Sequence, residues 1–171
     1  MNALPIKDTP EMADAVAVFS VNSGMKNSVH YWILIVQGGF IMDIRMVLKL
    51  RDTDVHGSGS FGAPRGSRTH KGDDYACPVG SSILAPINGK VTKIGYPYGD
   101  DLSFRYVEIT VSELRYRVFY VEPIVEVGDI VTRQDVIGHS QKLGDRYNGI
   151  TEHVHFEILR PDGSPINPKG M

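Results

Sequence analysis

Cysteine is almost missing from this chain: Cys77 is the one thiol among 171 residues. No intramolecular disulfide can form, and a cysteine-based zinc finger is excluded. A lone thiol of this kind reads as a small buried hydrophobe, so it leaves the redox compartment open. A basic excess is missing too. With 18 Lys and Arg against 20 Asp and Glu, the formal net charge is -2, which argues against a nucleic-acid partner. Long apolar runs are absent. The best, Tyr31 to Val36 with a loose extension to Met42, is broken by Gln37, Gly38 and Gly39 and stops at Asp43. A spanning helix needs about 20 apolar residues, so no transmembrane segment is expected. Lys26 precedes the run, but no small-x-small cleavage pattern follows it, so no signal peptide is expected either. Internal repeats and low-complexity tracts are also lacking.

What is present is an ordinary globular composition, 42% hydrophobic and 22% charged, long enough for one domain with a packed core. The 18 Gly and 10 Pro fall mostly after residue 56, which suits short strands and many turns. Residues 1–41 read as an N-terminal extension of unknown role, with a short helix expected around Glu11 to Phe19 and a strand-like run at Tyr31 to Val36. Residues 42–171 read as the compact domain, entered through a strand at Ile44 to Leu50. Residues 51–69 are expected to be a Gly/Ser/Pro-rich loop, and a loop of that length is often the wall of a binding groove.

From Asp74 onward the pattern is short β segments: Ser82 to Ala85, Lys90 to Tyr96, a hairpin of Tyr106 to Val111 with Tyr116 to Val121, Val125 to Gly128 with Ile130 to Val131, Asp135 to Ser140, and His153 to Leu159. No long stretch there has helical period. The fold class is therefore mainly β, an antiparallel sheet groove or open sandwich with little helix.

Two local arrangements carry chemistry. In His70-Lys71-Gly72-Asp73-Asp74 a bend at the glycine can bring an imidazole and a carboxylate to one point. In His153-Val154-His155-Phe156-Glu157 strand alternation sends both histidines to one face and Val154 and Phe156 to the other. His70, Asp74 and His155 together make three zinc donors and leave a position for water; His153 then stays free for proton transfer. The combination is that of metal-assisted amide hydrolysis. His30, His56 and His139 have no second ligand near them in sequence and read as surface or loop histidines; His56 is distinguished only by lying in the long loop.

The ordered motifs resemble those of the lysostaphin/LytM-type zinc metallopeptidases. They are Arg68 to Tyr75 with its His-x-Gly-x-Asp, then Val79-Gly80-Ser81 and Ile83 to Val91, then Val127 to Val131 with Val136-Ile137-Gly138, then Thr151 to Glu157. The likeness covers about residues 55 to 168. It implies a β groove with Zn2+ on its floor, held by His70, Asp74 and His155. His153 would be the general base, and peptides of bacterial peptidoglycan the partner. The implied place of action is extracellular, periplasmic or virion-associated, with phage virion proteins as further partners. One departure stands out. Where the family carries a second catalytic histidine on a middle strand, this chain reads Phe119-Tyr120-Val121-Glu122-Pro123, and Glu122 is expected in the histidine's place. If Tyr120 reaches the water position instead, it becomes the substrate-contacting donor. The same stretch resembles leukocyte-cell-derived chemotaxin, regarded as zinc-binding and non-catalytic. A zinc-stabilised binding module and a virion or envelope structural component therefore stay open as alternatives.

Overall fold

The computed structural model describes residues 48–170. The helix expected at Glu11 to Phe19, the run at Tyr31 to Val36, His30, the boundary at 41/42 and most of the strand expected at Ile44 to Leu50 lie outside the described residues.

Thirteen short strands follow one another: β1 (Lys49–Leu50), β2 (Pro64–Arg65), β3 (Arg68–Thr69), β4 (Asp73–Ala76), β5 (Ser82–Leu84), β6 (Gly89–Gly95), β7 (Tyr106–Val111), β8 (Leu114–Phe119), β9 (Val121–Pro123), β10 (Ile130–Val131), β11 (Val136–Ser140), β12 (His153–Leu159) and β13 (Pro165–Ile166). Among the described residues helix is confined to single 3-10 turns at Leu143–Asp145 and Pro168–Gly170. The main antiparallel sheet runs β1-β4-β12-β8-β7-β6-β10, with β13 also on β12; a second runs β5-β11-β9; β2 and β3 form a hairpin of their own. The mainly β, antiparallel class expected from the turn-punctuated pattern is what the chain forms.

Strand alternation sorts the main sheet into two faces. Val154, Phe156 and Ile158 of β12, Tyr116 and Val118 of β8, and Val107 and Ile109 of β7 belong to the core cluster, joined by Ile83 of β5 and Ile137 of β11 from the smaller sheet. The opposite face of the same strands carries His153, His155, Glu157, Arg117, Phe119, Tyr106 and Glu108. Each fully buried Val, Ile or Phe contributes about 1.5–3 kcal/mol, so the core pins the register that aligns the polar face. Cys77 is buried against this cluster.

Three expected elements differ. The 51–69 loop contains the β2–β3 hairpin, because Gly66 takes the left-handed φ of 63° that a two-residue turn between Arg65 and Arg68 demands. The hairpin at 106–121 turns earlier than expected, on Ser112 (φ 53°) and Glu113, with Val111 opposite Leu114. Its second strand ends at Phe119 because Tyr120 adopts φ 64°. A left-handed tyrosine costs of order 1–3 kcal/mol, and here it breaks the alternation and starts β9 in the other sheet.

Candidate metal centre

Gly72 makes the bend between His70 and β4 possible. A Cβ at that position would collide with the carbonyl oxygen of Phe156, so the chain can cross β12 this closely only as glycine. β4 then pairs with β12 so that Asp74 lies directly opposite His155, and His155 lies opposite Phe119 of β8 on its other side. Three donor atoms converge: Asp74 Oδ1 is 2.9 Å from His155 Nδ1 and 3.1 Å from His70 Nε2, and the two imidazole nitrogens are 3.0 Å apart.

The surrounding hydrogen bonds set which atoms are free. His70 Nδ1 donates to the Ser60 carbonyl, 2.9 Å away, so its Nε2 presents a lone pair. Glu157 Oε2 lies 3.8 Å from His155 Nε2, on the side away from Asp74. Arg51, buried, donates through Nη2 to Asp74 Oδ2 at 2.9 Å, and its Nη1 lies 2.6 Å from Asp54 Oδ2. Asp54 in turn accepts from the Thr151 amide at 2.9 Å. His153 Nδ1 donates to the Thr151 carbonyl at 2.6 Å, leaving Nε2 as the open acceptor, 3.6 Å from Asp74 Oδ1.

Charge follows these contacts. Burial pushes the Asp74 carboxyl up, but its close contacts with His155 and His70 outweigh it and hold it well below the usual carboxylate range. Burial pushes His155 down, yet Asp74 and Glu157 outweigh that and bring it up to about 9. Burial likewise pushes His153 down, and Asp74 only partly opposes it, so His153 is neutral near pH 7.

The three converging donors fit a zinc ion. Ligands about 2.0–2.1 Å from a tetrahedral metal sit roughly 3.3 Å from each other, close to the spacing of this trio. One proton on His155 Nδ1 can serve Asp74 Oδ1 or His70 Nε2 but not both, so one pair of lone pairs faces unshielded. A cation in their midst removes that conflict and displaces the proton. His70, Asp74 and His155 form the one such group of His, Cys, Asp or Glu among the described residues.

The centre opens into a cleft of about 440 Å³. Tyr120 lines it, brought there by its left-handed backbone, with its ring edge-on to His153 at 5.7 Å between centroids. Tyr147 donates to the Tyr98 hydroxyl at 3.1 Å and Tyr98 donates to that of Tyr120 at 3.0 Å, so the Tyr120 proton is left to point into the cleft. Burial raises the Tyr120 phenol to about 12 and raises Tyr98 further; both stay protonated.

Glu122 is not part of this arrangement. It is exposed on β9 in the smaller sheet, opposite His139, and accepts from Gln141 Nε2 at 3.2 Å. The expectation that it takes the place of the second histidine therefore fails, and Tyr120 is the member of that stretch facing the centre. His139 is an exposed strand residue. His56 does line the cleft, edge-on to Tyr147, with Nε2 2.9 Å from the Asn148 carbonyl. Sequence reasoning also missed Arg51, Tyr98 and Tyr147. None has a local pattern; each gains its meaning from a partner 20 or more residues away.

The sequence model of Peptidase family M23 matches residues 68–168. Leukocyte cell-derived chemotaxin-2 of Bos taurus is 32% identical over 110 residues, 64% of this chain and 72% of that protein. The solved structure of LytU aligns over 70% of this chain and 83% of its own, at 28% identity and a TM-score of 0.56. The antimicrobial peptidase lysostaphin from Staphylococcus simulans aligns over 65% of this chain and 46% of its own, at 19% identity and a TM-score of 0.52, a likeness of fold.

Proposed function

Since this chain belongs to peptidase family M23, we propose that it is a zinc metalloendopeptidase that hydrolyses peptide bonds in bacterial peptidoglycan. The observation that carries the reading is the triangle of His70, Asp74 and His155 donor atoms at 2.9–3.1 Å beside a neutral, oriented His153. Bound there, zinc would supply Lewis-acid polarisation of a carbonyl and make a water more acidic.

The chain's own residues do the rest. His153 Nε2, with Nδ1 tied to Thr151, accepts the proton of the attacking water and passes it to the leaving amine. Burial keeps it neutral and so ready to accept. Tyr120 donates its free hydroxyl hydrogen to the oxygen on which charge develops, the task expected of a second histidine, and the hydroxyls of Tyr98 and Tyr147 orient it. Arg51 neutralises the far oxygen of Asp74 and, through Asp54, steadies the Thr151 segment that holds His153. The open cleft suits an extended peptide. A substrate of this kind lies outside the cytoplasm, so the place of action is extracellular, periplasmic or on a virion.

A second reading is favoured by one observation: no histidine occupies the Tyr120 position, and a phenol is a weaker donor than an imidazolium. On that reading the domain holds zinc and binds wall peptides without cutting them. Incubation of the zinc-loaded chain with purified cell walls separates the two. Hydrolysis releases new amino groups in a zinc-dependent manner that His153→Ala abolishes; binding without release supports the second reading.

A further inference from the structure

The cleft is charged against the trend of the molecule. Arg51, Arg65, Arg68 and Lys71 line it together with only two carboxylates, Asp74 and Glu157, whereas the whole chain has a formal net charge of -2. Both carboxylates are buried and already engaged, Asp74 by Arg51 and the two histidines, Glu157 by Arg117. A bound metal would add positive charge to the same place.

The cations are concentrated on one wall. Arg65 is half-buried and anchored, its Nη2 donating to the Ser58 carbonyl at 2.6 Å and lying 3.6 Å from Asp74 Oδ2. Arg68, across the Gly66-Ser67 turn, and Lys71, next to the ligand His70, are exposed and make no ion pair with any other described residue. Behind the lining Tyr98, Arg146 is taken up by Asp100 and Asp101 at 3.0 and 3.6 Å and stacks over that ring, so it adds no free charge there. Among the described residues lining the cleft, the unneutralised positive charge therefore lies beside His70.

Resting on the peptidase reading of the same site, we propose that the substrate is an acidic peptide: a carboxylate near the bond to be cut is held by Arg65, Arg68 and Lys71. Guanidinium and ammonium groups beside the centre recognise a carboxylate by charge-assisted hydrogen bonds, and an uncharged peptide offers them nothing.

The test uses the full zinc-loaded chain and short labelled peptides in which a single glutamate is walked along an alanine–glycine sequence, each matched to a glutamine twin. Affinity is read by fluorescence anisotropy, with His153→Ala as a form that keeps the peptide uncut, and cleavage is read in parallel with the wild type. Each exposed ion pair contributes a factor of about two to five, so at the best position the glutamate peptide binds roughly tenfold tighter. That preference falls below about twofold in 0.5 M salt, where exposed charges are screened. It falls similarly in the Arg68→Gln/Lys71→Gln double variant and survives in Lys90→Gln, outside the cleft. Equal affinity of both twins at every position, or a preference that the double variant retains, overturns the proposal. Selective binding without cleavage would instead sink only the peptidase reading, and equal cleavage of both sets would sink only this one.

Discussion

Asp74 and His155 face one another across β4 and β12, 81 residues apart in the chain, with Oδ1 of one 2.9 Å from Nδ1 of the other. The pair is at once an ordinary cross-strand contact and part of the candidate metal centre. Its geometry depends on register: a slip by one residue would oppose Asp73, whose neighbours are core, and send the carboxylate of Asp74 away from both histidines.

Metal removal is the most direct check. The purified chain should bind about one zinc, and His70→Ala or Asp74→Ala should each lose it, read by elemental analysis after desalting. Saturating zinc at about 1,000 times its Kd stabilises by about 4 kcal/mol. Chelation should therefore lower the calorimetric Tm by roughly 10–20 °C in a domain of this size. Full metal retention in both variants would falsify the site.

Arg51→Met should be costly without touching the metal position itself. It strips Asp54 and Asp74 of the buried guanidinium that joins them, with only Arg65 left 3.6 Å from Asp74 Oδ2, and breaking such a buried pair costs about 3–5 kcal/mol. Urea unfolding of the zinc-loaded protein measures it. A loss within about 0.5 kcal/mol, the range of an ordinary surface change, would show that Arg51 does not hold Asp74.

Tyr120→Phe removes one hydroxyl and keeps the ring against His153. Zinc content and KM should change little, while kcat on cell walls falls about 100- to 1,000-fold, the usual cost of losing an oxyanion donor. Glu122→Gln, on the other sheet, should leave kcat as it is. The reverse pattern would return the catalytic role to Glu122.

Gly72→Ala should fail for a local reason. A methyl group there meets the Phe156 carbonyl and the His155 ring, so β4 must move off β12. Overpacking of this sort costs about 1–3 kcal/mol, and the zinc affinity should drop with it because the same movement separates Asp74 from His155. Retained affinity in a folded variant would show that the bend tolerates a side chain.

Acid stability carries a signature of Asp54. Burial raises its carboxyl, but the Thr151 and His56 amides and Arg51 outweigh that and hold it at about 2. A carboxyl lowered in the folded state contributes stability above its unfolded pKa and loses it as pH falls through the folded value. Wild type should thus lose stability between about pH 4 and pH 2, and Asp54→Asn should lose less over that window, as followed by circular dichroism. Parallel curves for the two proteins would rule the contact out as a contributor.

The fold class and the two histidine motifs could be read from the chain because their physics is local. Alternation places His153 and His155 on one side of a strand and Val154 and Phe156 on the other whatever the strand pairs with, and Gly72 announces a bend. Register, pairing and backbone exceptions are not local. That Asp74 meets His155, that Arg51 closes the far side of Asp74, and that Tyr98 and Tyr147 line up behind Tyr120 depend on which strands the core brings together. Glu122 shows the limit most plainly. Counting along Phe119-Tyr120-Val121-Glu122 gives no hint that Tyr120 turns left-handed, yet that single φ aims the tyrosine into the cleft and carries the glutamate off to another sheet. Short-range periodicity therefore determined which side chains could serve a metal, and long-range packing decided which of them converge on one point.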